Sequence, residues 1–192
     1  MFICAGESEQ FDFAMPVGIG LMDTAINLTK MVLSEKPKEL IFVGTAGSYG
    51  DKKVFDIITS YEAVNIENSY FNAGAYTPIV SRETSFPREG SCSSKIVVNS
   101  SNYITTDARL GKYYIEKGIA VENMEFYAVM KVAKAFDIPA EGILIVTNYC
   151  NENAHRDFLK NHKEAMEKLD IYVKKMIKEQ MAKNNAANHF GR

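Results

Sequence analysis

Three apolar runs, LIFVGTAG (40–47), KIVVNSS (95–101) and GILIVTNYC (142–150), end in small or polar residues, and segments of helical periodicity separate them. Short continuous runs rich in Val and Ile read as strands buried on both faces. Ahead of the first, Ala25, Ile26, Leu28, Met31, Val32 and Leu33 recur at helical spacing within 21–34. Asp23 and Thr24 fall in the first turn, where negative charge and capping oxygens are favoured, and Pro37 stops the helix. Helix, tight loop and β-rich run make the rhythm of a parallel sheet with crossover connections. The expected fold is α/β, with a central mixed, mostly parallel sheet flanked by helices.

The remaining segments extend this pattern. MFICAG (1–6) reads as a buried strand, 12–17 as a second short one closing at Gly18-Ile19-Gly20, and DIITSYEAV (56–64) as another. Residues 107–117 form a helix, and 118–123 a strand that leads into a helix through Ala135. The last and longest helix spans 156–183. Residues 65–94 are polar, with Pro78 and Pro87, and read as a long functional loop; Tyr70, Phe71, Tyr76 and Phe86 suit it to an interface. No linker divides the chain. One domain over 1–183 is expected, with a frayed tail over 184–192.

Composition narrows the functional classes. A hydrophobic fraction of 46% and a charged fraction of 24% suit a soluble globular chain. A net charge of −2, with basic residues spread along the chain, gives no case for nucleic acid or an acidic membrane. No apolar run approaches the roughly 18–20 residues of a membrane span. MFICAGESEQ turns acidic at once and does not read as a signal peptide. Cys4, Cys92 and Cys150 are odd in number and far apart, which argues against a disulfide framework or zinc site. A cytoplasmic protein without a metal is the expectation.

Ligands of open α/β sheets bind beyond the carboxyl ends of strands. Three strand ends carry unusual residues, GTAGS (44–48), NSSNYI (99–104) and VTNYCNENAH (146–155), and VENMEF (121–126) opens a helix after a short strand. In order, GIG (18–20), a helix, KP (36–37), an apolar strand, GTAGS, NMEF and IVTN with a long helix behind it resemble the nucleoside phosphorylase/nucleosidase family. The matches cover nearly the whole chain. The resemblance implies an enzyme that cleaves the bond between a purine base and its ribose, without metal or redox cofactor. It also implies a homo-oligomer with sites completed across subunits.

Site residues follow from that resemblance. Glu125 would accept hydrogen bonds from the ribose 2′ and 3′ hydroxyls, and Met124 would pack on the sugar face. By itself Glu125 reads as an exposed first-turn helix residue stabilised by the helix dipole. Tyr103 falls where the family stacks an aromatic ring on the purine, though a plain core tyrosine would look the same. Thr45, Ala46 and Gly47, with Gly20, would line the phosphate or nucleophile side; they also make a tight strand-to-helix turn. Asn148 stands where adenine-handling relatives carry Asp. An amide has no titratable proton but can donate to a 6-oxo group and accept from N7–H, which resembles the 6-oxopurine branch. His162 occupies the offset of a helix histidine that reaches the ribose 5′ oxygen, or is simply solvent-facing.

Two chemistries remain open at this level. Asn148 favours phosphorolysis of 6-oxopurine nucleosides, with phosphate as co-substrate. Yet Phe42 occupies a position that carries Arg in some phosphorylases, and no Arg precedes Arg82. Arg82, Arg88, Arg109 or a neighbouring subunit would have to supply the phosphate clamp. The AGESEQ loop (5–10) resembles the nucleosidase loop whose Glu activates water, which makes Glu9 the candidate base for hydrolysis. A purine nucleoside phosphorylase, a glycosyltransferase by reaction, is the leading expectation. A methylthioadenosine/S-adenosylhomocysteine-type nucleosidase is second, and a catalytically silent nucleoside-binding protein third.

Overall fold

The computed structural model describes residues 1–72, 81–85 and 96–189. In chain order these form β1 (Phe2–Cys4), β2 (Met15–Pro16), α1 (Gly20–Glu35), β3 (Leu40–Ser48), β4 (Ile57–Ser60) and β5 (Glu62–Asn65). There follow α2 (Ser69–Asn72), β6 (Ser81–Thr84), β7 (Val97–Ser100) and α3 (Ala108–Glu116). The chain continues through β8 (Ile119–Asn123), α4 (Phe126–Ala135), β9 (Ala140–Tyr149) and α5 (Ala154–His189).

β3 is the spine, buried at every position. β9 runs parallel to it from Leu40–Ala140 to Ser48–Tyr149. β1 pairs parallel with β3 at Ile41 and Phe42, and β8 pairs antiparallel at Gly47 and Ser48. Beyond β8 the sheet continues through β7, β5 and β6. The expected mixed, mostly parallel sheet is therefore present. Successive side chains of a strand face opposite sides, so an unbroken apolar run serves two layers at once. Leu40 and Phe42 pack with Leu28, Phe126 and Val129 of α1 and α4, while Ile41 and Val43 pack with Ala165, Leu169 and Val173 of α5. A third cluster joins Tyr49, Leu110, Tyr114 and Ile119 around α3.

The stop at the end of α1 is local chemistry. Lys36 adopts a left-handed φ of 48°, its N–H donates to Val32 O at 3.0 Å, and Pro37 follows. DIITSYEAV differs from its expectation of one strand. β4 pairs antiparallel with β9, whereas β5 pairs with β7 and β6, and Tyr61 alone separates the two. Neighbours in sequence thus lie against different partners, which curls the sheet. Of the 65–94 segment, α2 and β6 are described; Tyr76, Phe86, Arg88 and Cys92 lie outside the described residues. α5 continues past 183 to His189. No helix among the described residues is long and apolar enough to cross a membrane.

Packing between layers is tight at Gly142 of β9. A Cβ there would stand 2.8 Å from Phe126 Cε2 and 3.0 Å from Cζ, and Phe126 is fully buried. Gly142→Ala is expected to cost about 1–3 kcal/mol of stability through overpacking, read as a lowered urea midpoint with unchanged m-value.

Candidate active site

All four segments singled out by sequence converge on one cavity of about 180 Å³. Thr45, Ala46 and Gly47 of β3 and Thr147 and Asn148 of β9 form its floor; Glu122 through Glu125 form a wall. Tyr103 and Ile104 stand at its mouth, 73% and 52% exposed, and Glu9 enters from the opposite loop.

The Glu9 loop is shaped by backbone geometry. Gly6 has a φ of 98°, and Gly6 and Glu9 exchange backbone hydrogen bonds at 3.3 and 2.9 Å. This tight turn aims the Glu9 side chain at β3. Thr45 N donates to Glu9 Oε2 at 2.9 Å, and the Thr45 hydroxyl donates to Oε1. The Thr45 donors, expected to face a bound anion, are thus engaged by a carboxylate of the chain itself. Gly44 permits the approach, since a Cβ there would stand 2.8 Å from Glu9 Oε2. Burial pushes the Glu9 carboxyl above its usual range; the Thr45 bonds and the charge of nearby His162 oppose the rise.

Glu125, 6% exposed, sits at the start of α4. Gly20 N donates to its Oε1 at 2.9 Å; Asn123 Nδ2 and Met124 N each donate to Oε2 at 3.2 Å. Gly20 therefore acts as a holder of Glu125, from the first residue of α1. Asn123 is held in turn: its Oδ1 accepts from Ser100 Oγ at 2.7 Å and from Phe126 N at 3.2 Å. Burial raises the Glu125 carboxyl to about 7, and the charge of Glu9 adds to the rise; the bonds from Gly20 and Met124 oppose it.

Asn148 owes its placement to a bulge. Ala46 pairs with Val146 but Gly47 pairs with Asn148, leaving Thr147 as the extra residue of β9. A bulge bends its strand and re-aims the side chains beside it. Thr147 Oγ1 donates to Asn148 Oδ1 at 2.8 Å, and Asn148 Nδ2 donates to Tyr149 O at 3.1 Å.

The structure brings Glu9, Thr45, Ala46, Gly47, Tyr103, Met124, Glu125 and Asn148 together around the cavity. His162 stands one layer behind, its ring 4.9 Å from that of Phe158, which lines the cavity; its buried Nε2 makes no hydrogen bond. Sequence reasoning passed over Glu122, Asn123 and Phe158. The first two lay within the VENMEF segment, but nothing local distinguishes a cavity-facing acid from a neighbour. Among the described residues, no group of three or more His, Cys, Asp or Glu is arranged to hold a metal.

A family model described as the phosphorylase superfamily matches residues 13–178. The chain belongs to the phosphorylase superfamily. Solved structures agree on the fold at low identity. A futalosine hydrolase mutant of Helicobacter pylori superposes with a TM-score of 0.75 at 16% identity, covering 93% of this chain and 97% of that one. The 5′-methylthioadenosine/S-adenosylhomocysteine nucleosidase of Neisseria meningitidis gives 0.73 at 17%, covering 93% and 97%. A mutant of the Helicobacter pylori methylthioadenosine nucleosidase, with 5′-methylthioadenosine in its active site, gives 0.72 at 17%, covering 86% and 79%. No curated protein matches the chain.

These findings correct the expectation of phosphorolysis with phosphate as co-substrate. The similar structures are of nucleosidases and a futalosine hydrolase. The described residues lining the cavity include no Lys, Arg or His to hold a phosphate dianion. Of the candidate arginines, Arg82 pairs with Glu62 at 3.1 Å and Arg109 with Asp107 at 2.6 Å, both well exposed and away from the cavity lining.

Proposed function

We propose that this chain is a hydrolytic purine nucleosidase. The observation that carries the reading is the cavity wall itself: it offers three carboxylates, Glu9, Glu122 and Glu125, and no cation among its described lining residues. Such a wall repels an anionic nucleophile and suits a neutral one that must lose a proton. The names of the similar structures support the same chemistry.

Water attacks C1′ of the ribose while the bond to the base breaks and its electron pair leaves with the base. Glu9 takes the proton of the attacking water. Its raised proton affinity makes it a better base than an exposed carboxylate. Glu125 accepts from the 2′ and 3′ hydroxyls, using the two oxygens that the Gly20, Asn123 and Met124 donors hold in place. Tyr103 supplies an exposed ring at the mouth for one face of the base. Asn148 answers the charge that builds on the leaving base with its amide N–H, an interaction that strengthens in the transition state.

Base release from inosine, guanosine, adenosine and methylthioadenosine tests the proposal. At least one is expected to yield free base and reducing sugar at the same rate with and without phosphate. Release only in the presence of phosphate, with formation of ribose 1-phosphate, would refute hydrolysis.

A further inference from the structure

His162 has no part in the hydrolysis just described, yet its Nε2 is buried and makes no hydrogen bond. Helical spacing explains its position. Phe158, His162, Ala165 and Leu169 recur at i, i+4, i+7 and i+11 of α5, so one face of the helix carries all four toward the sheet. Ala165 and Leu169 pack with Val43 and Ile145 of the sheet and with Cys4 and Phe11, which bracket the Glu9 loop. Asn161 Nδ2 donates to Thr147 O at 2.8 Å and pins this level of α5 to the cavity floor. His162 thus sits between Phe158, which lines the cavity with Glu9, and the cluster that supports the Glu9 loop.

Glu9 needs what this position can give. A carboxyl raised by burial is a strong base only while it is ionised, and removal from water favours its protonated form. Glu125 lines the same cavity and couples to Glu9 as a like charge. Burial raises the Cys4 thiol, which keeps it neutral beside Glu9, and Thr45 supplies two neutral donors. Among the described residues, His162 is the cationic group whose charge favours the Glu9 carboxylate. Because its Nε2 makes no hydrogen bond, it adds charge without occupying the lone pair that must receive the proton of water. Imidazole is the side chain that gains its charge on the acid side of neutrality, where Glu9 is most exposed to protonation.

We propose that His162 is the positioning residue of the general base, an imidazolium one layer behind the cavity that keeps Glu9 ionised and free to take the proton of water. The inference deepens the nucleosidase reading and rests on it. No bond to His162 forms or breaks. The water proton goes to Glu9, its oxygen goes to C1′, and the electron pair of the broken bond leaves with the base. Charges interact more strongly in a site of low dielectric than at the surface, so His162 need not touch the carboxylate to bias it.

The test follows pH in the unmodified chain, in His162→Gln and in His162→Lys. His162→Gln is expected to lower kcat at least about fivefold more at pH 6 than at pH 8, with KM little changed, because Glu9 takes up its proton at higher pH once the charge is gone. Carboxyl ¹³C NMR reads Glu9 separately from Glu125, the Glu9 signal being assigned by its loss in Glu9→Gln. Its midpoint is expected to move up by about 0.5 to 1 pH unit in His162→Gln and to stay within about 0.2 of the original in His162→Lys, which keeps a positive charge. In the unmodified chain the ring ¹³C signals of His162 are expected to carry an inflection at the Glu9 midpoint that Glu9→Gln abolishes, a readout that needs no His162 variant to fold. An unmoved Glu9 midpoint in His162→Gln, an equal movement in His162→Lys, or a rate lowered by the same factor at both pH values would overturn the inference while leaving hydrolysis intact. If no nucleoside is cleaved without phosphate, the nucleosidase reading fails, and the Glu9 midpoint still decides whether His162 governs its charge.

Discussion

Glu9→Gln is expected to lower kcat for phosphate-independent base release by about 10²- to 10⁴-fold, the range of a lost general base, with KM little changed. Gln is nearly isosteric: its amide oxygen can still accept from Thr45 N while its NH2 donates to the Thr45 hydroxyl, which turns to accept, so the loop should keep its place against β3. What it loses is the capacity to take a proton from water. Single-turnover rates separate the chemical step from product release, and a denaturation curve matching that of the unmodified chain excludes unfolding. A kcat within a factor of about three of the original would remove Glu9 from the mechanism.

Glu125→Gln should act in opposite directions on activity and stability. It is expected to lower kcat/KM by about 10²- to 10³-fold, since charge-assisted hydrogen bonds to two ribose hydroxyls are each worth about 1.5–3 kcal/mol. Stability should rise at neutral and alkaline pH. The folded-state value of about 7 lies above the ordinary 4.5, so the folded protein binds the Glu125 proton more tightly than the unfolded chain. Stability from this group is therefore fully present below about 4.5 and is lost as pH rises through about 7. The difference across that window is roughly 3 kcal/mol, and urea denaturation at pH 5 and pH 8 should show it in the unmodified chain relative to the variant. Glu9 is raised in the same direction, and because its charge adds to the Glu125 shift, the difference between the two proteins reports Glu125 together with its coupling to Glu9. Activity of the unmodified chain should fall as pH drops below about 7, because a protonated Glu125 accepts less well from hydroxyls. A variant both less active and less stable at pH 8 would point to misfolding and not to a lost ribose contact.

How far the site could be read in advance differs from residue to residue. The start of α4 and the ends of β3 and β9 were visible because each joins an apolar run to small or polar residues, a pattern that local chemistry imposes. The resemblance to the nucleoside phosphorylase/nucleosidase family then named Glu125 and Asn148 as candidates within those segments, and both line the cavity. Glu122 was not, although it lies three residues from Glu125, because strand alternation does not say which buried face borders a ligand. Thr45 was expected to donate outward to an anion. The Glu9 loop, 36 residues earlier in sequence, reaches both of its donors first. The preference for phosphorolysis came from Asn148 alone, a group that acts on the base and carries little information about the nucleophile.

The sequence by itself determined the layered α/β plan, the ends of its helices and the residue types available for chemistry. Those properties depend on hydrophobic period, proline and capping, which operate within a few positions of the chain. Tertiary structure decided what those residues confront. The Thr147 bulge re-aims Asn148, Gly47 admits Glu122 and Asn148 from either side, and Gly20 holds Glu125 from a helix 105 residues away in sequence. The first two depend on strand register and the third on how α1 packs against α4, and both are set by the packing of distant segments. No short window of sequence contains the partners whose contact fixes either.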